Sequence, residues 1–257
     1  MPQFFLSPDS VQDKTFHLKG PEAFHITKVL RYREGQSLVL FDGKGGRYEA
    51  VIQKIFPDGS LSGALTGTLH AKDKRPEVHL NLYQGLLKSS HWEWVLEKGT
   101  ELGVSSFIPV LTPRTVVVLR EADRTKAKTE RWNKIILSAS KQSGGARLPE
   151  LLEPVEFRDA IKAFAGNGLT LLAWEGLSQA TAGSTLRASL REAEKTRGKE
   201  SLSVNLFIGP EGGFTEEEVE LAESTGAVVF GLGSRILRAE TAALAASALV
   251  LYELGSL

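Results

Sequence analysis

From residue 78 onward, short apolar runs alternate with longer segments of helical periodicity, and this alternation limits the folds open to the chain. The predicted strands are Val78–Gln84, Ser106–Leu111, Leu169–Trp174, Leu202–Ile208 and Ala227–Phe230. The predicted helices are Ser90–Leu102, Thr129–Ser143, Phe157–Ala165, Ala182–Thr196, Thr215–Ser224 and Ala239–Leu254. Strands that alternate with helices favour a largely parallel sheet covered on both faces, so we predict an α/β fold.

Two of these helices begin with the pattern of a capping box, in which a hydroxyl and an acid three residues later satisfy each other's backbone N–H groups. The pairs are Ser90 with Glu93, and Thr215 with Glu218. We therefore expect both helices to begin at these residues.

The first 70 residues have a different pattern, with short strand-like runs separated by glycine turns. Ser37–Asp42, Arg47–Phe56 and Ser60–Leu69 are predicted strands, and one helical piece falls near Pro21–Leu30. Several short strands of this kind indicate a small barrel. The polar segment Ala71–Pro76 is a suitable boundary, so we predict one domain over residues 1–72 and a second over residues 73–257.

Composition excludes several classes of protein. The chain has no cysteine, so disulfides, thiolate metal sites and a cysteine nucleophile are excluded, and its five histidines are not paired at ligand spacing, so we expect no metal. No run approaches the roughly 20 apolar residues of a membrane span, and the N-terminus lacks a signal-peptide pattern. We therefore expect a cytoplasmic protein that does not enter a membrane.

The net charge is zero, but it is unevenly distributed. Residues 1–150 carry 22 basic and 16 acidic side chains, whereas residues 151–257 carry 9 and 15. A basic region can attract a polyanion while the whole molecule stays neutral, although ordinary surface variation gives the same numbers.

Gly209–Phe214, with the sequence GPEGGF, links an apolar strand to a helix, which is where α/β sheets bind ligands. The following helix begins with Glu216, Glu217 and Glu218, and these carboxylates would repel a phosphate. The loop also lacks the P-loop and dinucleotide patterns. The segment disfavours ATP and NAD and is compatible with a cationic adenosine ligand without phosphate, although glycine pairs also occur in purely structural turns.

A second segment, Leu232–Ala242, has the sequence LGSRILRAETA and leads into an alanine-rich helix. Arg235, Arg238 and Glu240 lie beside glycines and an apolar helix, where buried charges would need partners. A helix cap with exposed charges would give the same pattern. The small apolar residues that follow suit a helix in the core or at a subunit interface.

Together the two segments strongly resemble the RsmE-type family of 16S ribosomal RNA uridine-N3 methyltransferases, which belong to the SPOUT class. Weaker similarity extends along the chain at His25–Arg31, Lys98–Val104 and Glu130–Trp132. The resemblance implies a deep trefoil knot, a homodimer and an N-terminal PUA-like barrel that helps bind RNA. It also implies that S-adenosyl-L-methionine is the cofactor and that 16S ribosomal RNA in the decoding region of the small ribosomal subunit is the substrate.

The resemblance also implies roles for individual residues. Those expected to bind the cofactor are Trp174, Glu175, Ile208, Gly209, Pro210, Glu211, Gly212, Gly213, Phe214, Leu232, Gly233, Ile236, Leu237, Thr241 and Ala242. Those expected to contact RNA are His25, Lys28, Arg31, Arg33, Arg114 and Arg147. Two positions depart from the family pattern, since Lys141 replaces an expected acid and Gly145 replaces an expected arginine.

For catalysis we expect Arg238 to lie near the uracil and Glu240 or Glu211 to accept the N3 proton. The alternative is that both acids only hold their loops by accepting backbone N–H groups. Three other functions fit the same residues: a related methyltransferase acting on transfer RNA or another ribosomal site, a non-catalytic RNA-binding module, and an unrelated nucleotide enzyme.

Overall fold

The computed structural model describes residues 2–69, 78–117, 122–164, 168–177, 179–197 and 200–257. The chain divides into two compact units. The first comprises Met1–Asp73 with Leu137–Leu148, and the second comprises Lys74–Ile136 with Pro149–Leu257. The predicted boundary segment Ala71–Pro76 lies outside the described residues.

The first unit contains a six-stranded sheet. Its strands are β1 (Gln3–Phe5), β2 (Val11–Gln12), β3 (Thr15–Leu18), β4 (Ser37–Phe41), β5 (Arg47–Ile55) and β6 (Leu61–Thr68). They are arranged in the order β1-β4-β5-β6-β3-β2, with β1 and β4 parallel and the other neighbours antiparallel. The small barrel predicted for this region corresponds to this sheet. The three predicted strands are confirmed as β4, β5 and β6.

The helical piece predicted near Pro21–Leu30 is present in two parts. Helix α1 (Gly20–Phe24) continues directly into a π-helical turn over His25–Val29. Ile26 is fully buried against the sheet's apolar residues, including Phe4 and Leu38, and therefore anchors the turn.

The segment Leu137–Leu148 joins the first unit through polar contacts. The Gln3 side-chain amide donates hydrogen bonds to the carbonyl oxygens of Ser140 (2.9 Å) and Gly145 (2.8 Å). The Lys141 ammonium lies 2.6 Å from a Glu22 carboxylate oxygen. The departure from the family pattern at Lys141 therefore has an acidic partner within this unit.

The second unit is an α/β fold built on a parallel seven-stranded sheet. Its strands are β7 (Val78–Gly85), β8 (Ser106–Leu111), β9 (Glu150–Leu151), β10 (Val155–Glu156), β11 (Leu169–Ala173), β12 (Leu202–Ile208) and β13 (Val228–Phe230). The order is β10-β8-β7-β12-β11-β13, and β9 also pairs with β8. Every pairing in this sheet is parallel.

Apolar side chains cover both faces of this sheet, as the continuous apolar strands predict. Along β12, Leu206 and Ile208 belong to one buried cluster, whereas Phe207 belongs to the cluster on the opposite face. The predicted α/β fold with a covered parallel sheet is therefore confirmed.

A row of polar side chains crosses the same sheet in register. Asn81 on β7 donates to Asn205 on β12 (3.0 Å) and accepts from the Ser106 hydroxyl on β8 (2.7 Å). Asn205 in turn lies 3.4 Å from the Thr170 hydroxyl on β11. Because buried amides need partners, this row favours one register among four strands.

The helices of the second unit are α2 (Ser89–Leu102), α3 (Ala122–Ser143), α4 (Phe157–Ala163), α5 (Gln179–Arg197), α6 (Glu216–Ser224) and α7 (Ala239–Glu253), with α3 continuing into the first unit. Helix α3 begins seven residues earlier than predicted, because the charged sequence before Thr129 has no apolar periodicity to mark it. None of the helices in the described ranges has the length and apolarity needed to cross a membrane.

The capping box predicted at Ser90 and Glu93 is wrong. Helix α2 begins at Ser89 with Lys88 as its N-cap, and no side chain caps it. Ser90 therefore lies inside the helix, where its hydroxyl cannot take the cap position. The Glu93 carboxylate instead pairs with the Arg131 guanidinium at 2.7 Å.

Candidate functional site

Three neighbouring parallel strands of the second unit end at one pocket of about 350 Å³. Its walls come from Trp174 and Glu175 after β11, from the loop Gly209–Phe214 after β12 except Gly212, and from the segment starting at Leu232 after β13. The Trp174 N–H donates to the Phe230 carbonyl at 2.9 Å, which continues the pairing of β11 and β13 to the edge of the pocket. This is the edge at which open α/β sheets bind ligands.

The loop Gly209–Phe214 is compact because its glycines allow close approach. The Gly213 N–H donates to the Pro210 carbonyl at 2.9 Å, and Gly213 has a φ of 68°. A Cβ at Gly213 would overlap the Glu175 carboxylate, and a Cβ at Gly85 would overlap Pro210. The loop is therefore in direct contact with the end of β7 and with Glu175, the second residue after β11.

Three other groups of the second unit hold this loop. The Gln84 amide donates to the Gly209 carbonyl (2.9 Å), and one nitrogen of Arg114 donates to the carbonyls of Gly212 (2.9 Å) and Phe214 (3.1 Å). The Lys88 N–H donates to a Glu211 carboxylate oxygen at 3.2 Å. Held in this way, the loop presents a preformed wall.

The predicted capping box at the start of α6 is confirmed. The Thr215 hydroxyl accepts the Glu218 N–H at 3.2 Å, and the Glu218 carboxylate accepts the Thr215 N–H at 2.8 Å. Hydrogen bonds from its own backbone N–H and from Thr215 lower the pKa of Glu217, whereas burial raises the pKa of Glu218. The helix terminus therefore has its own acceptors and an ionised acid beside it, a poor setting for phosphate.

The second segment supplies the charged side of the pocket. Arg238 is the N-cap of α7, and its carbonyl accepts the Ala242 N–H at 2.8 Å. Glu240 lies one residue into that helix, and its side chain is only 13% exposed. One of its carboxylate oxygens lies 3.8 Å from Nδ1 of His91 on α2. Nδ1 of His91 is buried and makes no hydrogen bond within the described part of the chain.

The pocket brings together most of the residues predicted to bind a cofactor or to act in catalysis. All of them line it except Gly212 and Thr241. Five further residues line the pocket without having been assigned a role: Ser234, Arg235 and Ala239 lie within the predicted second segment, whereas His91 and Ala173 lie outside both segments. His91 had no local signal, because it lies on a helix more than a hundred residues away from both loops.

The residues predicted to contact RNA are divided between the units. His25, Lys28, Arg31 and Arg33 lie exposed on and after the π-helical turn, and exposed Arg147 forms backbone bridges with Gly43 and Lys44 in the same unit. Arg114 belongs to the second unit, where it holds the glycine loop. Among the described residues, no cluster of three or more acids and histidines could hold a metal.

Comparison with known proteins finds two family models that match this chain. A family model of the RNA methyltransferase domain matches residues 74–251, and a model of the RNA methyltransferase PUA domain matches residues 18–63. Ribosomal RNA small subunit methyltransferase E of Bacillus subtilis is 32% identical over 93% of this chain and 90% of that protein. The protein of the same name from Synechocystis is 30% identical over 92% and 73%, respectively.

Solved structures of similar proteins include two with a bound ligand. Ribosomal RNA small subunit methyltransferase E from Neisseria gonorrhoeae, bound to S-adenosyl methionine, has a TM-score of 0.81 and 28% identity over 98% of this chain and 97% of that one. A protein from Legionella pneumophila in complex with the cofactor SAM has a TM-score of 0.79 and 26% identity over 97% and 96%.

The contact between β7 and the glycine loop leads to a prediction about stability. Because a Cβ at Gly85 would overlap backbone and ring atoms of Pro210, we expect Gly85→Ala to lower the free energy of unfolding by about 1–3 kcal/mol. The matched control is Gly145→Ala, whose Cβ would meet nothing closer than 3.7 Å. Urea denaturation of both variants measures the difference, and equal losses would contradict the close approach.

Proposed function

Because this chain belongs to the RsmE-type family of RNA methyltransferases, we propose that it transfers a methyl group from S-adenosylmethionine to N3 of a uridine in 16S ribosomal RNA. The observation that carries this proposal is the single pocket formed by both C-terminal segments at the ends of three parallel strands. Its substrate would be the decoding region of the small ribosomal subunit, so the enzyme would act in the cytoplasm.

The pocket suits S-adenosylmethionine in shape and charge. Its volume of about 350 Å³ falls within the range of small-molecule sites. Ile208, Leu232 and Leu237 offer apolar surface for an adenine, and the glycine loop offers backbone groups. The Glu175 carboxylate lines the pocket and favours a cation, and the acidic start of α6, outside the lining, disfavours a phosphate at that helix terminus.

When bound, S-adenosylmethionine supplies an electrophilic methyl group attached to a positively charged sulfur. The protein must then hold the uracil in line with that methyl group, and it must remove the N3 proton. Arg238 and Arg235 both line the pocket, where a guanidinium can stabilise the uracil anion that forms.

Glu240 is the better of the two candidate proton acceptors. Its carboxylate lies in the pocket at 13% exposure and faces His91. The Glu211 carboxylate, in contrast, already accepts the Lys88 N–H, which favours the loop-holding role. Nδ1 of His91 lies 3.8 Å from the Glu240 carboxylate, so we assign His91 as a positioning residue for that acid.

The remaining features of the family are also part of the proposal. We infer a deep trefoil knot around the two C-terminal segments, supported by the insertion of β12 between β7 and β11 and by the packing of α7 against the earlier elements α2 and β7. We further infer RNA binding by the N-terminal unit, supported by the exposed cations Lys28, Arg31 and Arg33 and the exposed His25 beside them. Arg114 and Arg147 would add contacts to RNA.

A homodimer is supported by the surface of α7. One side of this helix is buried through Ala243, Ala246 and Val250, while Leu249 is 45% exposed and Tyr252 is 69% exposed. Large apolar side chains on a helix that already packs on one side are typical of a subunit interface.

The proposed activity is tested by primer extension on 16S ribosomal RNA. A methyl group on N3 blocks base pairing, so reverse transcriptase should stop at the modified uridine in wild-type RNA. The stop should vanish in RNA from a strain lacking this gene and return when the gene is restored. A stop that persists without the gene would contradict the proposed function.

Substitution of the two acids tests the proton acceptor. We expect Glu240→Gln to lower kcat by roughly 10²–10⁴-fold, because it removes a general base. Glu211→Gln should change kcat less than about tenfold, and the matched control Glu216→Gln, outside the pocket, should leave it unchanged. Single-turnover methylation of small subunits measures these rates, and wild-type turnover by Glu240→Gln would eliminate it as the acceptor.

Light scattering tests the oligomeric state. We expect wild-type protein to have twice the chain mass and Leu249→Glu to have the mass of one chain, because a buried carboxylate without a partner opposes association. Ser256→Glu, an exposed change beyond α7, is the control and should leave the mass unchanged. A wild-type monomer would contradict the dimer.

A further inference from the structure

The first unit carries an unusual apolar surface on residues 24–33, which we name the helical patch. Phe24 is 60% exposed, Val29 is 57% exposed and Leu30 is 41% exposed, all within seven residues. Ile26 alone among residues 24–30 is fully buried. Three large apolar side chains so close together on a surface are typical of a binding site.

The same patch is strongly basic. It exposes four side chains that carry or can carry positive charge: His25, Lys28, Arg31 and Arg33. The two acids that flank it are both engaged, since Glu22 pairs with Lys141 at 2.6 Å and Glu34 accepts the Ile55 N–H at 2.8 Å. A negatively charged partner with an apolar component would therefore complement this surface.

The backbone of the patch has two uncommon features. The Leu30 N–H donates to the His25 carbonyl (2.9 Å), which makes the turn π-helical, and Arg31 adopts the left-handed region with a φ of 58°. A non-glycine residue adopts this left-handed region only at an energetic cost. Such features concentrate at functional sites, so this strain supports a binding role independently of the exposed side chains.

We propose that the helical patch binds an unpaired segment of the substrate RNA, with the Phe24 ring stacked on a base and the surrounding cations on adjacent phosphates. The inference rests on the proposed function and adds to it that the patch recognises single-stranded RNA. Bases in a duplex are stacked on one another and present no face to an aromatic ring, whereas loops and bulges do.

A protein partner fits this surface less well. The charged groups around the three apolar side chains would have to be desolvated in the core of a protein interface, where charged residues are depleted. The phosphates of RNA, in contrast, would neutralise these cations, and the exposed Phe24 ring could stack on a neighbouring base.

Salt-dependent binding separates stacking from phosphate contacts. The full-length protein is titrated with a fluorescent oligouridine of about 12 nucleotides at several salt concentrations. We expect Phe24→Ala to weaken binding about five- to 150-fold at every salt concentration and to leave the slope of log K against log salt unchanged. Lys28→Ala should instead reduce that slope by roughly 0.7, because it removes one phosphate contact.

Matched variants identify the chemistry at Phe24. Phe24→Tyr retains the aromatic ring and should bind like the wild type, whereas Phe24→Leu retains apolar bulk and should bind as weakly as Phe24→Ala. Val116→Ala, at a side chain 65% exposed in the second unit, is the control and should bind normally. A duplex of the same length should bind with equal affinity to wild type and Phe24→Ala.

Several results would overturn the inference. Wild-type binding by Phe24→Ala or Phe24→Leu would exclude stacking, and a change of oligomeric mass in Phe24→Ala would indicate that a second copy of the chain covers the patch. The outcome is separable from the proposed function. If the primer-extension stop persists without the gene while RNA binding still depends on Phe24, only the proposed methylation is refuted. If the stop depends on the gene while Phe24→Ala binds RNA like the wild type, only the proposed role of the helical patch is refuted.

Discussion

The pocket depends on the register in which β12 pairs with β7 and β11. Seven residue pairs join β12 to β7 and four join it to β11, and the polar row through Asn81, Asn205 and Thr170 favours this alignment. Because the glycine loop begins at the residue after β12, a slip of this strand would move Gly209 away from Gln84 and from Gly85. The position of the glycine loop therefore depends on how the strands pair in the centre of the sheet.

Charge then decides which ligand the preformed pocket suits. A helix start after a glycine loop usually attracts phosphate, but here Thr215 and Glu218 accept each other's backbone N–H groups, and hydrogen bonds lower the pKa of Glu217. The same pocket receives two arginines and Glu240 from the segment before and within α7. In the proposed function, the acidic residues of the pocket lining would favour a cationic ligand, and the arginines would stabilise the anion that develops on the substrate.

The sequence predicted the parts of the molecule that depend on local pattern. Strand and helix positions, the capping box at Thr215 and the two loops of the pocket follow from apolar periodicity and from residues adjacent in the chain. It failed where contacts between distant segments decide the outcome. His91 reaches the pocket from α2, and Arg114 reaches the glycine loop from beyond β8. The capping box predicted at Ser90 is wrong for the same reason, since the Glu93 carboxylate pairs with the distant Arg131. The exposed Phe24 carries no sequence signal, because exposure is a property of the folded unit.

Titration calorimetry with S-adenosylmethionine measures whether this pocket binds a phosphate-free, positively charged adenosine compound. We expect saturable binding at one site per chain, with no heat of binding from ATP or NAD under the same conditions. We also expect Gly213→Ala, whose Cβ would overlap the Glu175 carboxylate, to weaken this binding. Tight binding of ATP or NAD together with no binding of S-adenosylmethionine would show that the pocket is a nucleotide site and not a site for this cofactor.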